Sequence, residues 1–168
     1  MTARGTFRFS EFILRPAGSV ITDAWLAEKW IDADPWHRGH VKPAFWTEQG
    51  NYCDSYILLD GTGPVFFWKG ILVAPHRMEM HVQFPPFPLE PVERRSLRRR
   101  IALGLIVGLR WLEAMLFKTG IQEIYFDSIN PNLISFCIKR LDFVQDGPLL
   151  KKRLSPSREA QTPLERAV

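Results

Sequence analysis

From Glu93 to Lys118 the chain runs without a proline and is closed by Gly120, the residue type best suited to end a helix. Between Ile101 and Leu116 this stretch is apolar nearly all round, which predicts a central, heavily buried helix. Gly104 and Gly108 stand i,i+4 and thin one ridge of it, so that it can lie close against a sheet. Whatever surrounds such a helix must supply that sheet.

The flanking sequence reads as strands and shorter helices. Phe7 to Arg15 alternates apolar and polar and predicts one strand, stopped by Pro16. Thr22 and Asp23 offer N-cap chemistry to a helix carrying Ala24, Trp25, Leu26, Trp30 and Ile31, which ends before Pro35. Asp34 to Gly50 is irregular yet holds Trp36, Phe45 and Trp46, so it either packs as a cap or lines a site. Tyr52 to Leu59 and Val65 to Val73 flank a glycine-containing turn and read as a hairpin. Arg77 to Phe84 alternates strictly, with Met78, Met80, Val82 and Phe84 on one face and Glu79, His81 and Gln83 on the other. Pro85, Pro86, Pro88 and Pro91 mark a stiff connection into the long helix. Ile121 to Asp127 is another strand, Asn130-Pro131 opens a helix through Leu141, and Phe143-Val144 and Leu149 to Leu154 are short strands. The order β-α-β-β-β-α-β-α-β describes an α/β chain with a mixed sheet and crossing helices, and fits neither a sandwich nor a helical bundle.

Composition supports one globular unit. A length of 168 residues suits a single domain, expected over residues 1–154, with a polar, frayed tail over 155–168. Twelve Phe and six Trp provide bulk for a core. No internal repeat is visible, and no apolar run approaches the roughly 20 residues that span a bilayer. The start lacks the apolar segment of a secretory signal, and two cysteines are too few for a disulfide framework, so the expectation is a cytoplasmic protein without membrane contact.

The net charge of +4 comes from one place. Arg94, Arg95, Arg98, Arg99 and Arg100 are five of 22 basic residues, and without them the balance is 17 against 18 acids. They sit at the start of the long helix, where cations oppose the helix dipole and where N–H groups lack internal partners. Together these make an anion site suited to phosphate, the alternative being a solvated basic face. Specific nucleic-acid binding is not expected, because the run lacks interleaved aromatics and phosphate contact alone is salt-sensitive and unspecific.

Asn130-Pro131-Asn132-Leu133-Ile134-Ser135-Phe136-Cys137-Ile138-Lys139-Arg140-Leu141-Asp142-Phe143 resembles the motif N-x-x-A/L-I-x-F-Y-x-K-x-G-F of the GNAT-type N-acetyltransferase superfamily. Phe12-Ile13-Leu14-Arg15-Pro16-Ala17 looks like its first strand, and Arg99-Arg100-Ile101-Ala102-Leu103-Gly104 is similar to its R/Q-x-x-G-x-G/A cofactor signature, with Ala102 in place of the first glycine. The resemblance implies a V-splayed mixed sheet of six or seven strands with three or four helices, and acetyl-coenzyme A as co-substrate. It implies that the pyrophosphate rests on backbone N–H groups from Arg99 to Gly104, with Arg94, Arg98 and Arg100 adding charge. Val82 and Phe84 would align the pantetheine arm, with Asn130 nearby. The acceptor, a small-molecule or peptide amine, would enter between the loop from Trp36 to Trp46 and the hairpin. A homodimer is left open.

Direct acetyl transfer needs a base for the incoming ammonium and an acid for the leaving thiolate. Glu79 stands where the family often places its base, and His81 shares its face and titrates nearer neutrality; the other reading makes them surface partners. Metal binding is not expected, since neither His76, Glu79 and His81 nor His37 and His40 complete a recognised ligand set. Cys137 replaces the family's acidic tyrosine, and Asp142 replaces a glycine. These departures, with Ala102, keep a second reading in view: a catalytically silent member, its relation to phage proteins left open, that works as a binding or structural module.

Overall fold

The computed structural model describes residues 6–9 and 11–155. The C-terminal tail expected from the sequence lies outside them beyond Ser155. Eight strands form one sheet: β1 (Phe7–Phe9), β2 (Phe12–Pro16), β3 (Cys53–Asp60), β4 (Gly63–Ala74), β5 (Arg77–Gln83), β6 (Glu123–Phe126), β7 (Val144–Asp146) and β8 (Leu149–Arg153). Four helices accompany them: α1 (Thr22–Ala33), α2 (Pro43–Thr47), α3 (Pro91–Lys118) and α4 (Pro131–Leu141). The order across the sheet is β1-β2-β3-β4-β5-β6-β8-β7. Every pairing is antiparallel except β5 with β6, which α3 connects in parallel.

The strand count exceeds the expected six or seven for one local reason. The stretch from Phe7 to Arg15 folds back between Phe9 and Phe12, which pair directly, so it is two strands. The two short strands expected at the end, β7 and β8, pair with each other.

The alternation of the strands sorts side chains into two cores. On one face Leu58, Phe66, Trp68, Met78, Met80, Ile124 and Phe126 meet α3 and α4. On the other Ile57 and Phe67 meet Ala27, Trp30 and Ile31 of α1 and Trp46 of α2. The irregular segment after Asp34 thus contains a short helix, and its aromatics divide: Trp46 is buried and Trp36 is 68% exposed.

The long helix is less enclosed than its composition suggests. It buries a stripe through Leu97, Ile101, Leu105, Leu109, Leu112 and Leu116, while Leu103 and Phe117 remain more than a third exposed. A single sheet covers one side of a helix, so apolar residues on its flanks pack only at the edges of the core. Gly104 lies on the stripe against Leu58 and Phe66, as a thin ridge requires, and Gly108 has nothing within 4 Å of the place a Cβ would occupy.

Two helix ends differ from their expected chemistry. The α1 N-cap is Ile21 and no side chain caps it. Asp23 instead turns inward to Arg15 on β2, with Arg15 Nη1 and Nη2 each 2.6 Å from a carboxylate oxygen. At the end of α4, Asp142 takes the left-handed conformation (φ 58°) that the family's glycine would adopt, and its N–H bonds Cys137 O. Aspartate tolerates this region better than most residues, so the turn is kept without glycine.

Candidate active site

Strands β5 and β6 stay paired from Arg77–Glu123 to Met80–Phe126 and then part. β5 runs on to Gln83, while the chain after Phe126 turns away into α4. Alternate main-chain groups of β5 beyond Met80 therefore face an opening instead of a neighbouring strand. A cleft of about 680 Å³ fills this opening, within the size range of small-molecule sites. One wall is apolar and holds Val82, Phe84, Phe87, Phe126 and Leu133. The other is polar and holds Asp34, His37, Glu79, His81 and Asp127, with Trp36 at its rim. Of the acceptor route expected between the Trp36 to Trp46 loop and the β3–β4 hairpin, Trp36 and His37 line the cleft and the hairpin does not; the other walls come from β5, β6, the proline connection after β5 and the start of α4.

The polar wall follows from strand register. Gln83, His81 and Glu79 stand opposite Phe67, Lys69 and Ile71 of β4, on the face that carries α1 and α2. Glu79 Oε1 is 3.3 Å from His81 Nε2. Burial is the largest influence on His81 and pushes its imidazole below the ordinary value; Glu79 and Asp127 pull the other way, and Lys69 and His37 reinforce the shift. The ring is thereby held neutral near pH 7, able to accept a proton. Phe45 meets it edge-on at 5.3 Å between centroids, and Lys69 donates to Phe45 O at 2.6 Å. The buried lysine thus anchors the aromatic loop.

The alternation places Glu79, His81 and Gln83 together on this face, but it assigns no role to Gln83, Asp34 or Asp127, and His37 is weighed only as a metal ligand. Gln83 is 1% exposed, and its amide donates to Asp34 Oδ2 at 3.1 Å while its carbonyl oxygen meets His37 Nδ1. Asp34 Oδ1 also accepts the Trp36 N–H at 3.0 Å, which shapes the turn after α1. The alternation finds the face of Gln83 but not its partners, which come from the distant segment after α1. Among the described residues no group of three or more His, Cys, Asp or Glu side chains is arranged to hold a metal ion.

The residues expected to hold the co-substrate fall into two sets. Val82, Phe84 and Asn130 line the cleft. Asn130 also caps α4, its side-chain oxygen accepting the N–H groups of Asn132 and Leu133 at 3.0 and 3.3 Å. Ala102 and Gly104 do not line the cleft. Helix α3 begins at Pro91, so the N–H groups from Arg99 to Gly104 are consumed within the helix and cannot cradle a pyrophosphate. The free donors at its start are those of Val92 and Glu93, since Pro91 has none and the Arg94 N–H bonds Glu90 O.

The arginines divide as well. Arg100 reaches across to the β3–β4 turn, with Nε and Nη2 at 2.7 and 2.8 Å from Asp60, whose carboxyl is held below its ordinary value despite its burial, by Arg100 and Thr62. Arg94 donates to the carbonyls of Pro88 and Leu89 at 2.9 and 2.8 Å. These two brace the fold. Arg98 lies over the ring of Phe87, a cleft residue, and Arg95 and Arg99 are exposed. Arg95, Arg98 and Arg99 are the members of the run that remain available to a phosphate.

Cys137 does not reach the cleft. It is 2% exposed inside the α3–α4 core, and burial pushes its thiol up to about 12. A raised folded-state value favours the folded protein below the unfolded value near 9, and that contribution is lost as pH climbs toward 12. Between pH 9 and 10 the wild type should lose about 1 kcal/mol that Cys137→Ala does not lose, read from urea midpoints at each pH. Equal slopes for the two proteins would show that the thiol ionises freely.

No family model matches the chain, and no curated protein matches it. Solved structures do. A probable acetyltransferase of the GNAT family from Chromobacterium violaceum superposes with a TM-score of 0.65 at 15% identity, over 93% of this chain and 94% of that one. The ribosomal-protein-S5-alanine acetyltransferase of Vibrio fischeri gives 0.58 at 13% identity, over 89% and 96%. The spermidine N-acetyltransferase of Vibrio cholerae, in complex with CoA and spermine, gives 0.53 at 12% identity, over 87% and 97%. The superpositions and the single mixed sheet agree: the chain has the fold of the GNAT-type N-acetyltransferase superfamily.

Proposed function

We propose that this protein transfers an acetyl group from acetyl-coenzyme A to an amine in the cleft between β5 and β6. The observation that carries the reading is the pairing of Glu79 with His81 on the cleft wall at the point where the strands part. Acetyl-coenzyme A supplies the activated acetyl group. Its pantetheine arm would run along Val82 to Phe84 and past Asn130, and its phosphates would meet Arg95, Arg98 and Arg99. Glu79, directly or through water, takes a proton from the acceptor ammonium, and His81 shares the charge. The cleft lining includes Asp34, Glu79 and Asp127 and no lysine or arginine, which favours a cationic amine. Two similar structures are named for a small-molecule amine and for a protein alanine, so both acceptor classes belong in the test.

One observation favours a second reading, a silent binding module. The connection from β5 to α3 contains Pro85, Pro86 and Pro88 and leads into Pro91, so the segment that should offer N–H groups to phosphate lacks several of them. The readings separate by experiment. An enzyme gives a thermal shift with acetyl-coenzyme A and releases thiol with some member of a panel of polyamine, amino-acid and peptide amines. Glu79→Gln should then lower kcat by about 10²–10⁴-fold while acetyl-coenzyme A affinity holds. No shift at millimolar acetyl-coenzyme A would sink the enzyme reading, and binding without turnover would favour the silent module.

A further inference from the structure

The expected second proton-transfer group, Cys137, is sealed in the core, and acetyl transfer still requires one. On the way to a neutral amide the acceptor nitrogen gives up two protons of its ammonium form, one before it attacks and one after. One ends in solvent and the other on the departing sulfur. Glu79 with His81 accounts for the first.

From the geometry of the polar wall beyond His81, and resting on the acetyltransferase reading above, we infer that His37 carries the second proton, with Gln83 and Asp34 as its positioning residues. The neighbours of the imidazole decide which ring nitrogen holds hydrogen. Asp34 has only acceptor oxygens, so the Gln83 group 3.1 Å from Asp34 Oδ2 is the amide NH₂, and it donates to Phe84 O at 3.2 Å as well. That fixes the other end of the amide: Gln83 Oε1 is the atom facing His37 Nδ1. Asp34 Oδ2 lies 3.2 Å from the same nitrogen. Both neighbours of Nδ1 are acceptors, so Nδ1 bears the hydrogen and the lone pair of the neutral ring belongs to Nε2. Gln83 cannot rotate away, since it is buried on β5 and bonded at both ends.

His37 itself lines the cleft, its ring 5.8 Å from that of Trp46 and its side chain 30% exposed. The step balances at one atom. Nε2 takes a proton from the acceptor nitrogen, whose N–H electron pair stays on that nitrogen, and the imidazolium charge is met by Asp34. Nε2 then returns the proton to the departing sulfur and the ring is neutral again. A carboxylate is less suited to both halves, because its protonated form persists poorly near neutral pH. A histidine held through Nδ1 by a carboxylate is a recurrent arrangement for this work.

Two measurements on the intact protein test the assignment. Long-range ¹H–¹⁵N spectra of His37 near pH 8 should show the Nδ1–H tautomer, and Gln83→Leu should weaken that preference. An Nε2–H tautomer in the wild type overturns the proposal without touching the acetyltransferase reading. With acetyl-coenzyme A and an amine from the panel that turns over, His37→Gln should lower kcat about 10²-fold or more and change the KM for acetyl-coenzyme A less than 3-fold. Gln83→Leu should lower kcat less, again with little change in that KM. A His37→Gln enzyme within 3-fold of wild-type kcat overturns this proposal alone, whereas a wild type inert with every amine overturns both.

Discussion

Asp23→Ala should destabilise the protein by about 3–5 kcal/mol, the cost of breaking a buried ion pair from one side. The carboxylate is 1% exposed and accepts three hydrogen bonds: two from Arg15 at 2.6 Å and one from the Gly18 N–H at 2.9 Å. Its loss would leave the guanidinium of Arg15, 19% exposed, without its principal partner beneath the start of α1. Whole domains are stable by only about 5–15 kcal/mol, so the variant should melt on the order of 10 °C lower. Asp23→Asn, which keeps an acceptor oxygen but no charge, should fall between. A loss under 1 kcal/mol for the alanine variant, by urea unfolding, would mean that Arg15 finds water or Ser19 as an adequate substitute.

Alanine at two glycines one turn apart in α3 should give opposite results. At Gly104 the new methyl would lie 2.6 Å from Leu58 Cδ2 and 3.1 Å from Phe66 Cε1, both on buried residues that have little room to retreat. Overpacking of this kind costs about 1–3 kcal/mol and outweighs the roughly 1 kcal/mol that alanine contributes to a helix interior. At Gly108 nothing lies within 4 Å, and the residue borders an apolar cavity of about 30 Å³ between the helix and the sheet. There the helix-forming gain stands alone, so Gly108→Ala should stabilise by about 1 kcal/mol. Two variants shifted in the same direction would mean that α3 does not lie against the sheet as described.

That pair also shows what local sequence can and cannot carry. The i,i+4 spacing of Gly104 and Gly108 revealed a ridge, but only the position of Leu58 tells which glycine touches the sheet. Strand alternation placed Glu79, His81 and Gln83 on one face correctly, because a period of two is a property of the strand alone. Asp34 and His37 reach that face from the end of α1, 49 and 46 residues away from Gln83 in the chain, and no local spacing encodes such a meeting. Motif matching misled at the arginine run for a related reason. The resemblance assigned phosphate-binding N–H groups to Arg99 through Gly104, yet these residues lie inside the helix expected from Glu93, which opens at Pro91, the residue type that favours the first helical position. Arg100 looked like a phosphate ligand until the register of the β3–β4 turn put Asp60 in its path. Charge can be counted from sequence, but not whether an intramolecular partner has already claimed it.

The single parallel pairing in the sheet has a consequence for how the molecule assembles. β1 with β2, and β3 with β4 and β5, pair through short turns, whereas β2 reaches β3 only across residues 17–52, which carry α1 and α2. β6 joins β5 only after the whole stretch from Phe84 to Gln122 has crossed over as α3. Contacts between such distant parts of a chain carry the largest entropy of closure and form slowly. The cleft thus lies at one of the two longest-range pairings of the sheet, and a nascent chain released before β6 emerges would hold the strands from β1 to β5 but lack the cleft residues from Phe126 to Leu133.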